Sequence, residues 1–109
     1  RPDWLFVFGD NLARVGFGGQ AAEARGEPNA VGIATKRSPH MGTGAFLSDL
    51  DYDEWFAAEM GTFAGLMHAV KTGAPIVWPL DGIGTGLARL ERQSPLIWND
   101  IEQFRLGIE

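Results

Sequence analysis

The sequence predicts an α/β domain, a mostly parallel sheet of three strands flanked by helices in three layers. Three observations lead there. Short apolar runs at Trp4–Phe8, Ala30–Ala34 and Pro75–Trp78 have strand length and strand composition. Stretches of helical periodicity alternate with them, and strand–helix alternation selects a right-handed parallel sheet. Glycine-rich loops follow the first and third runs, Gly16–Gln20 and Gly82–Gly86, where open α/β sheets receive their ligands.

Taken in order, Trp4–Phe8 is continuously apolar, which predicts a strand buried on both faces and ending near Gly9. Asp10 and Asn11 come next as polar groups at its carboxyl end. Gly16, Gly18 and Gly19 allow a tight turn with backbone N–H groups presented to an anion, ahead of a short helical stretch from Gln20 to Arg25. Gly26 and Pro28 break that helix. The second strand, Ala30–Ala34, runs out into Thr35, Lys36 and Arg37, the one locally basic stretch. From Met41 to Asp51 the mixed polarity and glycines predict a loop able to fold over a cleft. Ser48 or Asp49 caps a long helix over about 52–71, with Phe56, Met60, Phe63, Met67 and Val70 as its expected core stripe. Gly73 ends that helix and Pro75 opens the third strand. Ser94 and Pro95 start a last helix whose buried face is Ile97, Ile101 and Phe104.

Composition narrows the function classes. The chain has 109 residues, enough for one domain with a core, and 45% hydrophobic content suits a globular protein. A net charge of −5 without basic runs argues against extended nucleic-acid contact, so a nucleotide ligand would be small and held largely by backbone dipoles. There is no cysteine, which fits a reducing cytoplasm. The two histidines, His40 and His68, have no metal-ligand spacing, so neither metal nor cofactor is expected. No apolar run reaches the length of a membrane span and no signal peptide opens the chain, although a start at Arg1 leaves room for further N-terminal residues.

The pattern Val7–Asn11, four residues, then Gly16-Phe17-Gly18-Gly19, resembles the macrodomain motif, in which a strand ending in asparagine leads into a glycine run and a helix. The middle strand ending Ile33-Ala34-Thr35-Lys36 agrees with it in order. So does the closing segment, Ile76 through Pro79 to Asp81, Gly82, Ile83, Gly84, Thr85, Gly86 and Leu87, which is similar to the macrodomain phosphate loop. Taken together the set most resembles the terminal ADP-ribose protein glycohydrolase branch, and is similar to short bacterial and phage proteins of the same pattern. That likeness implies a macrodomain-like fold and an ADP-ribose-type ligand, free or attached to a macromolecule. Asn11 would bond the distal ribose hydroxyls, or else serve only as a turn residue. Gly16, Gly18, Gly19, Gln20, Gly82, Gly84, Thr85 and Gly86 would cradle the diphosphate, with Ile83 and Leu87 beside it. Phe17 would stack on ribose or base, and Thr35 and Lys36 would complete the site. Asp10 and Asp81 would touch ligand or support their loops.

In that branch the catalytic lysine lies on the helix after the first glycine loop, where this chain has Ala24 or Arg25, and the catalytic aspartate just follows the second loop, where it has Ala88; in the other hydrolytic branch an aspartate follows the glycine run, where Gln20 and Ala21 stand. Binding without turnover is therefore the first expectation. A hydrolase using other groups, with Asp81, Asp10, Glu23 and Lys36 as candidates, is the second, and a non-catalytic assembly subunit the third. Three strands leave two open sheet edges, so a homodimer is also expected, with Trp98 and Leu106 as apolar groups off the core face of the last helix.

Overall fold

The computed structural model describes residues 4–16, 25–39, 42, 44–79, 83 and 89–108. Three parallel strands, β1 (Leu5–Asn11), β2 (Ala30–Lys36) and β3 (Ile76–Val77), form one sheet in the order β2-β1-β3. The helices are α1 (Tyr52–Lys71), α2 (Leu90–Gln93) and α3 (Pro95–Ile108), with a 3-10 turn at Asp49–Asp51 ahead of α1. This is the α/β architecture the alternating pattern predicts, a three-stranded parallel sheet flanked by helices. The first loop's expected helix, Gln20 to Arg25, falls outside the described residues except for Arg25, which lies in a turn. Among the described residues no helix is long and apolar enough to cross a membrane.

β1 is central and runs further than its apolar residues suggest. Gly9 pairs with Ile33 and Asp10 with Ala34, so ladder hydrogen bonds carry the strand through the glycine to Asn11, where the register shifts and Asn11 meets Lys36. β2 likewise continues two residues past Ala34. The expected burial of the whole Trp4–Phe8 run is corrected: Trp4, Leu5 and Phe6 are half-buried, and the buried part is Val7, Phe8, Asp10 and Asn11. β3 is only two residues long, pairing Ile76 with Leu5 and Val77 with Phe6, and Pro75 accepts the Leu5 N–H at 2.9 Å.

The expected cap by Ser48 or Asp49 is corrected: Ser48 heads the 3-10 turn, and the N-cap of α1 itself is Asp51, which makes no side-chain cap bond. The Asp51 carboxylate accepts the Ser48 N–H at 2.8 Å and its hydroxyl at 3.2 Å, and Gly73 (φ +87°) follows the helix end. The buried face, however, is Trp55, Glu59, Leu66 and Ala69, with Tyr52 and Phe63 packed partly beneath it. Phe56, Met60 and Met67 are exposed, which corrects their expected core role. Counting large apolar side chains puts the stripe in the wrong place here, because a carboxylate, Glu59, occupies the inward face and methionines the outward one.

The core joins Val7, Ile33 and Ala34 of the sheet to Trp55 and Leu66 of α1, Leu90 of α2, and Ile97 and Ile101 of α3. Trp55 donates its indole N–H to the Ala34 carbonyl at 2.8 Å, stitching α1 to β2, and Tyr52 donates to Asp100 at 2.6 Å, stitching α1 to α3. The buried face of α3 is the expected Ile97, Ile101 and Phe104, the last with its ring 4.6 Å from that of Phe63. Trp98 also packs on the core rather than standing off it, whereas Leu106 is exposed. Of the expected 41–51 loop, residues 45–47 are packed against the domain. Phe46 bridges antiparallel to Lys36, and Ala45 and Leu47 are fully buried.

Candidate functional site

The carboxyl ends of β1 and β2 gather the polar residues of the interior. Asp10, Asn11, Thr35 and Lys36 are all buried there on adjacent strands, and the register shift between Asp10 and Asn11 leaves Thr35 without a ladder partner. The chain beyond β1 keeps pairing with the chain beyond β2: Leu12 donates to the Lys36 carbonyl at 2.9 Å and Ala13 to that of Arg37 at 3.2 Å. Thr35 donates its hydroxyl to the Asp10 carbonyl at 3.2 Å. This edge is therefore held by main-chain and side-chain bonds together.

Asp10 is surrounded by cations. Arg25 pairs with it through both guanidinium NH2 groups, Arg14 stands 3.6 Å away, and the Asn11 N–H donates to it at 2.8 Å. So many partners make it an anchor for the first loop, since its oxygens are already engaged. Gly32 lies against it because nothing larger fits; a Cβ there would stand 2.6 Å from Asp10 Oδ2. Arg14 in turn pairs with Glu59, which is fully buried on α1, and donates to the Gly32 carbonyl at 3.2 Å. Burial pushes the Glu59 carboxyl above the ordinary carboxylate range, against the opposite pull of Arg14, and its second oxygen has no hydrogen-bond partner.

The Asn11 amide fills the turn role weighed for it with its nitrogen end. Its NH2 donates to the Val15 carbonyl at 2.8 Å and so braces the loop. Its oxygen is buried without a hydrogen-bond partner among the described residues, as is the Ser38 hydroxyl two residues past β2. An unbonded buried acceptor is uncommon enough to need a reason.

Lys36 donates to the Pro39 carbonyl at 3.3 Å and lies 4.9 Å from the centre of the Phe46 ring. Arg89, just before α2, shares that ring at 5.7 Å. Burial, and secondarily the Arg89 charge, hold the Lys36 ammonium below the usual lysine range. Its neighbour Arg37 is a clamp, not a ligand group: it bonds Glu54 through both nitrogens at 2.9 Å and Asp51 at 2.7 Å.

Gly16 sits at φ +91°, and a Cβ there would stand 2.8 Å from Pro39 Cβ, so the first loop passes close against the chain beyond β2. Ile83 is buried in the core. Phe17, Gly18, Gly19, Gln20, Glu23, Asp81, Gly82, Gly84, Thr85, Gly86 and Leu87 lie outside the described residues. The sequence reading did not single out Arg14, Glu59 or Arg89 at all, and placed Arg25 as the end of a helix and, with Ala24, opposite the family's catalytic lysine. A single acid among the apolar residues of α1, four after Trp55, was the available signal for Glu59.

The chain is thus an α/β domain with a parallel sheet that carries buried polar residues at the carboxyl ends of β1 and β2, the end at which open α/β sheets bind ligands as a class. Over residues 1–104 the chain matches the family of unknown function DUF7831, and it belongs to that family. Curated proteins and solved structures give no match.

Proposed function

We propose that the domain binds ADP-ribose or a related NAD-derived nucleotide at the carboxyl ends of β1 and β2, with the glycine loops 16–20 and 82–86 around its diphosphate. The observation that carries this reading is the Asn11 amide. Its nitrogen end is fixed on Val15, its oxygen is an unused acceptor, and a ribose hydroxyl is the donor that the macrodomain resemblance assigns to it. Capture needs no acid or base, and the engagement of Asp10 with two arginines speaks for a binding role of this edge over proton transfer by that carboxylate.

Calorimetry and thermal shift with ADP-ribose, NAD and cyclic ADP-ribose test it. A native-state ligand at about a hundred times its Kd adds roughly 2.7 kcal/mol of stability, a clear rise in Tm. Asn11→Ala should weaken binding by about tenfold or more, the loss of one buried hydrogen bond, and a bulky residue at Gly18 or Gly84 should abolish it with the circular-dichroism spectrum unchanged. If none of the three nucleotides shifts Tm, the proposal fails.

One observation favours hydrolysis as a second reading. A lysine held below its usual range by burial and a neighbouring cation is the kind of amine that performs acid–base or nucleophilic work. Lys36→Ala separates the two: retained nucleotide binding with lost release of ADP-ribose from a modified protein supports an enzyme, and no release by the unaltered chain leaves a binder.

A further inference from the structure

We propose that the outward face of α1 is the contact surface for a second copy of this chain, in an antiparallel, twofold-symmetric helix pair. Asp53, Phe56, Met60, Ala64, Met67 and Lys71 follow one another at steps of three or four residues and are all exposed. At 100° per residue they occupy an arc of only about 80°. Met60 and Phe56 are 56% and 41% exposed, an apolar strip that the domain's own core does not use.

The strip fits itself when reversed. An axis crossing α1 at the level of Thr62 brings Met60 opposite the partner's Ala64, and Ala57 opposite the partner's Met67. Both methionines then face a small residue, the interdigitation that close helix packing needs, while Phe56 meets the partner's His68. The same operation sets Asp53 opposite the partner's Lys71, so both ends of the strip close with opposite charges. Pairing in the parallel sense would put Asp53 beside Asp53 and Lys71 beside Lys71. Next to the strip, Gly61 and Gly65 face open space, and their missing side chains let a neighbouring backbone approach. Glycines inside a helix lower its own propensity, so these two are better explained by something packed over them than by solvent.

Size sets the strength. From Asp53 to Lys71 the strip is about 27 Å long and about 10 Å wide, on the order of 300 Å² per copy, well under the roughly 800 Å² of a tight interface. The pair should therefore form at tens to hundreds of micromolar protein.

Sedimentation equilibrium of the 109-residue chain up to about 0.5 mM, a concentration at which even weak pairs populate, should show a monomer–dimer equilibrium. Ala64→Glu should weaken it by about tenfold or more, since a charge would be buried at the centre. Asp53→Lys and Lys71→Asp should each weaken it, and the double variant Asp53→Lys/Lys71→Asp should restore it, with circular-dichroism melting confirming folded protein in each case. A monomer at every concentration overturns the proposal. So does a dimer unaffected by Ala64→Glu, or a double charge variant no better than the singles.

Discussion

Replacing Glu59 by glutamine tests how the interior tolerates the one fully buried carboxylate among the described residues. The substitution keeps the shape and leaves an oxygen to accept from Arg14, but removes the charge. Two effects oppose. Losing a charge-assisted bond costs about 1.5–3 kcal/mol. Relief from ionising a group in a dry site returns a comparable amount, since neutral replacements of buried pairs are often neutral or stabilising by about 1–4 kcal/mol. Arg14 is not stranded, because it keeps the Gly32 carbonyl and Asp10. Glu59→Gln should thus lie within about 2 kcal/mol of the unaltered protein at pH 8, whereas Glu59→Ala, which also opens a cavity, should cost about 3 kcal/mol or more.

The pH dependence distinguishes this account from a packing effect. Because burial raises its native pKa, Glu59 holds its proton more tightly in the folded state than in the unfolded one. Below the ordinary carboxylate pKa of about 4.3 both states are protonated and no penalty exists. As pH rises from there through the native value, folding stability is lost, and above that value the loss is constant. The stability of Glu59→Gln relative to the unaltered chain should therefore increase from pH 5 to pH 8 in urea titrations. The depressed carboxylate Asp51 has the opposite pH dependence but is present in both proteins and cancels. A difference that is the same at both pH values, or one that moves the other way, would refute the reasoning.

Gly32→Ala should destabilise by about 1–3 kcal/mol, because the new methyl meets the Asp10 carboxylate and the Phe8 ring edge at 3.0 Å or less; a urea midpoint unchanged from the parent would show that Asp10 can move freely. Arg37→Ala removes a clamp that is partly exposed, so its cost should be about 1 kcal/mol at most and should shrink in high salt. Asp51, held below its usual range first by the Ser48 N–H and further by Arg37, contributes stability that is present above its unfolded pKa and lost as pH falls through the native one. In Arg37→Ala that acid-side loss should begin at higher pH than in the parent, which an acid unfolding curve reads directly.

The fold was legible where local chemistry is decisive. Ser94 at the head of α3, Gly73 after α1 and the apolar spacing of Ile97, Ile101 and Phe104 carry their own instructions. Strand ends were less legible, since Asp10, Asn11 and Lys36 look like loop residues and become strand only because a neighbouring strand supplies hydrogen bonds. The orientation of α1 was hidden for a related reason. Its outward methionines and inward glutamate invert the usual pattern, and only Arg14, 45 residues away, makes that glutamate tolerable. At the candidate site Asp10 and Asn11 were visible as polar residues after an apolar run. Nothing near them in sequence shows that the first would be tied to Arg25 and the second left with an idle oxygen.

Asp49 has a consequence for the order in which the structure assembles. Its carboxylate accepts the Ser94 hydroxyl at 2.8 Å and the Leu96 N–H at 3.0 Å, while Ser94 caps Ile97. The first turn of α3 is thus completed by a residue 47 positions earlier, beside the start of α1. A helix nucleus is costly to form alone, and this one draws two of its bonds from elsewhere in the chain. The beginnings of α1 and α3 consequently form and melt as one cooperative unit, and the amides of Leu96 and Ile97 should exchange with solvent at the same rate as those at the head of α1.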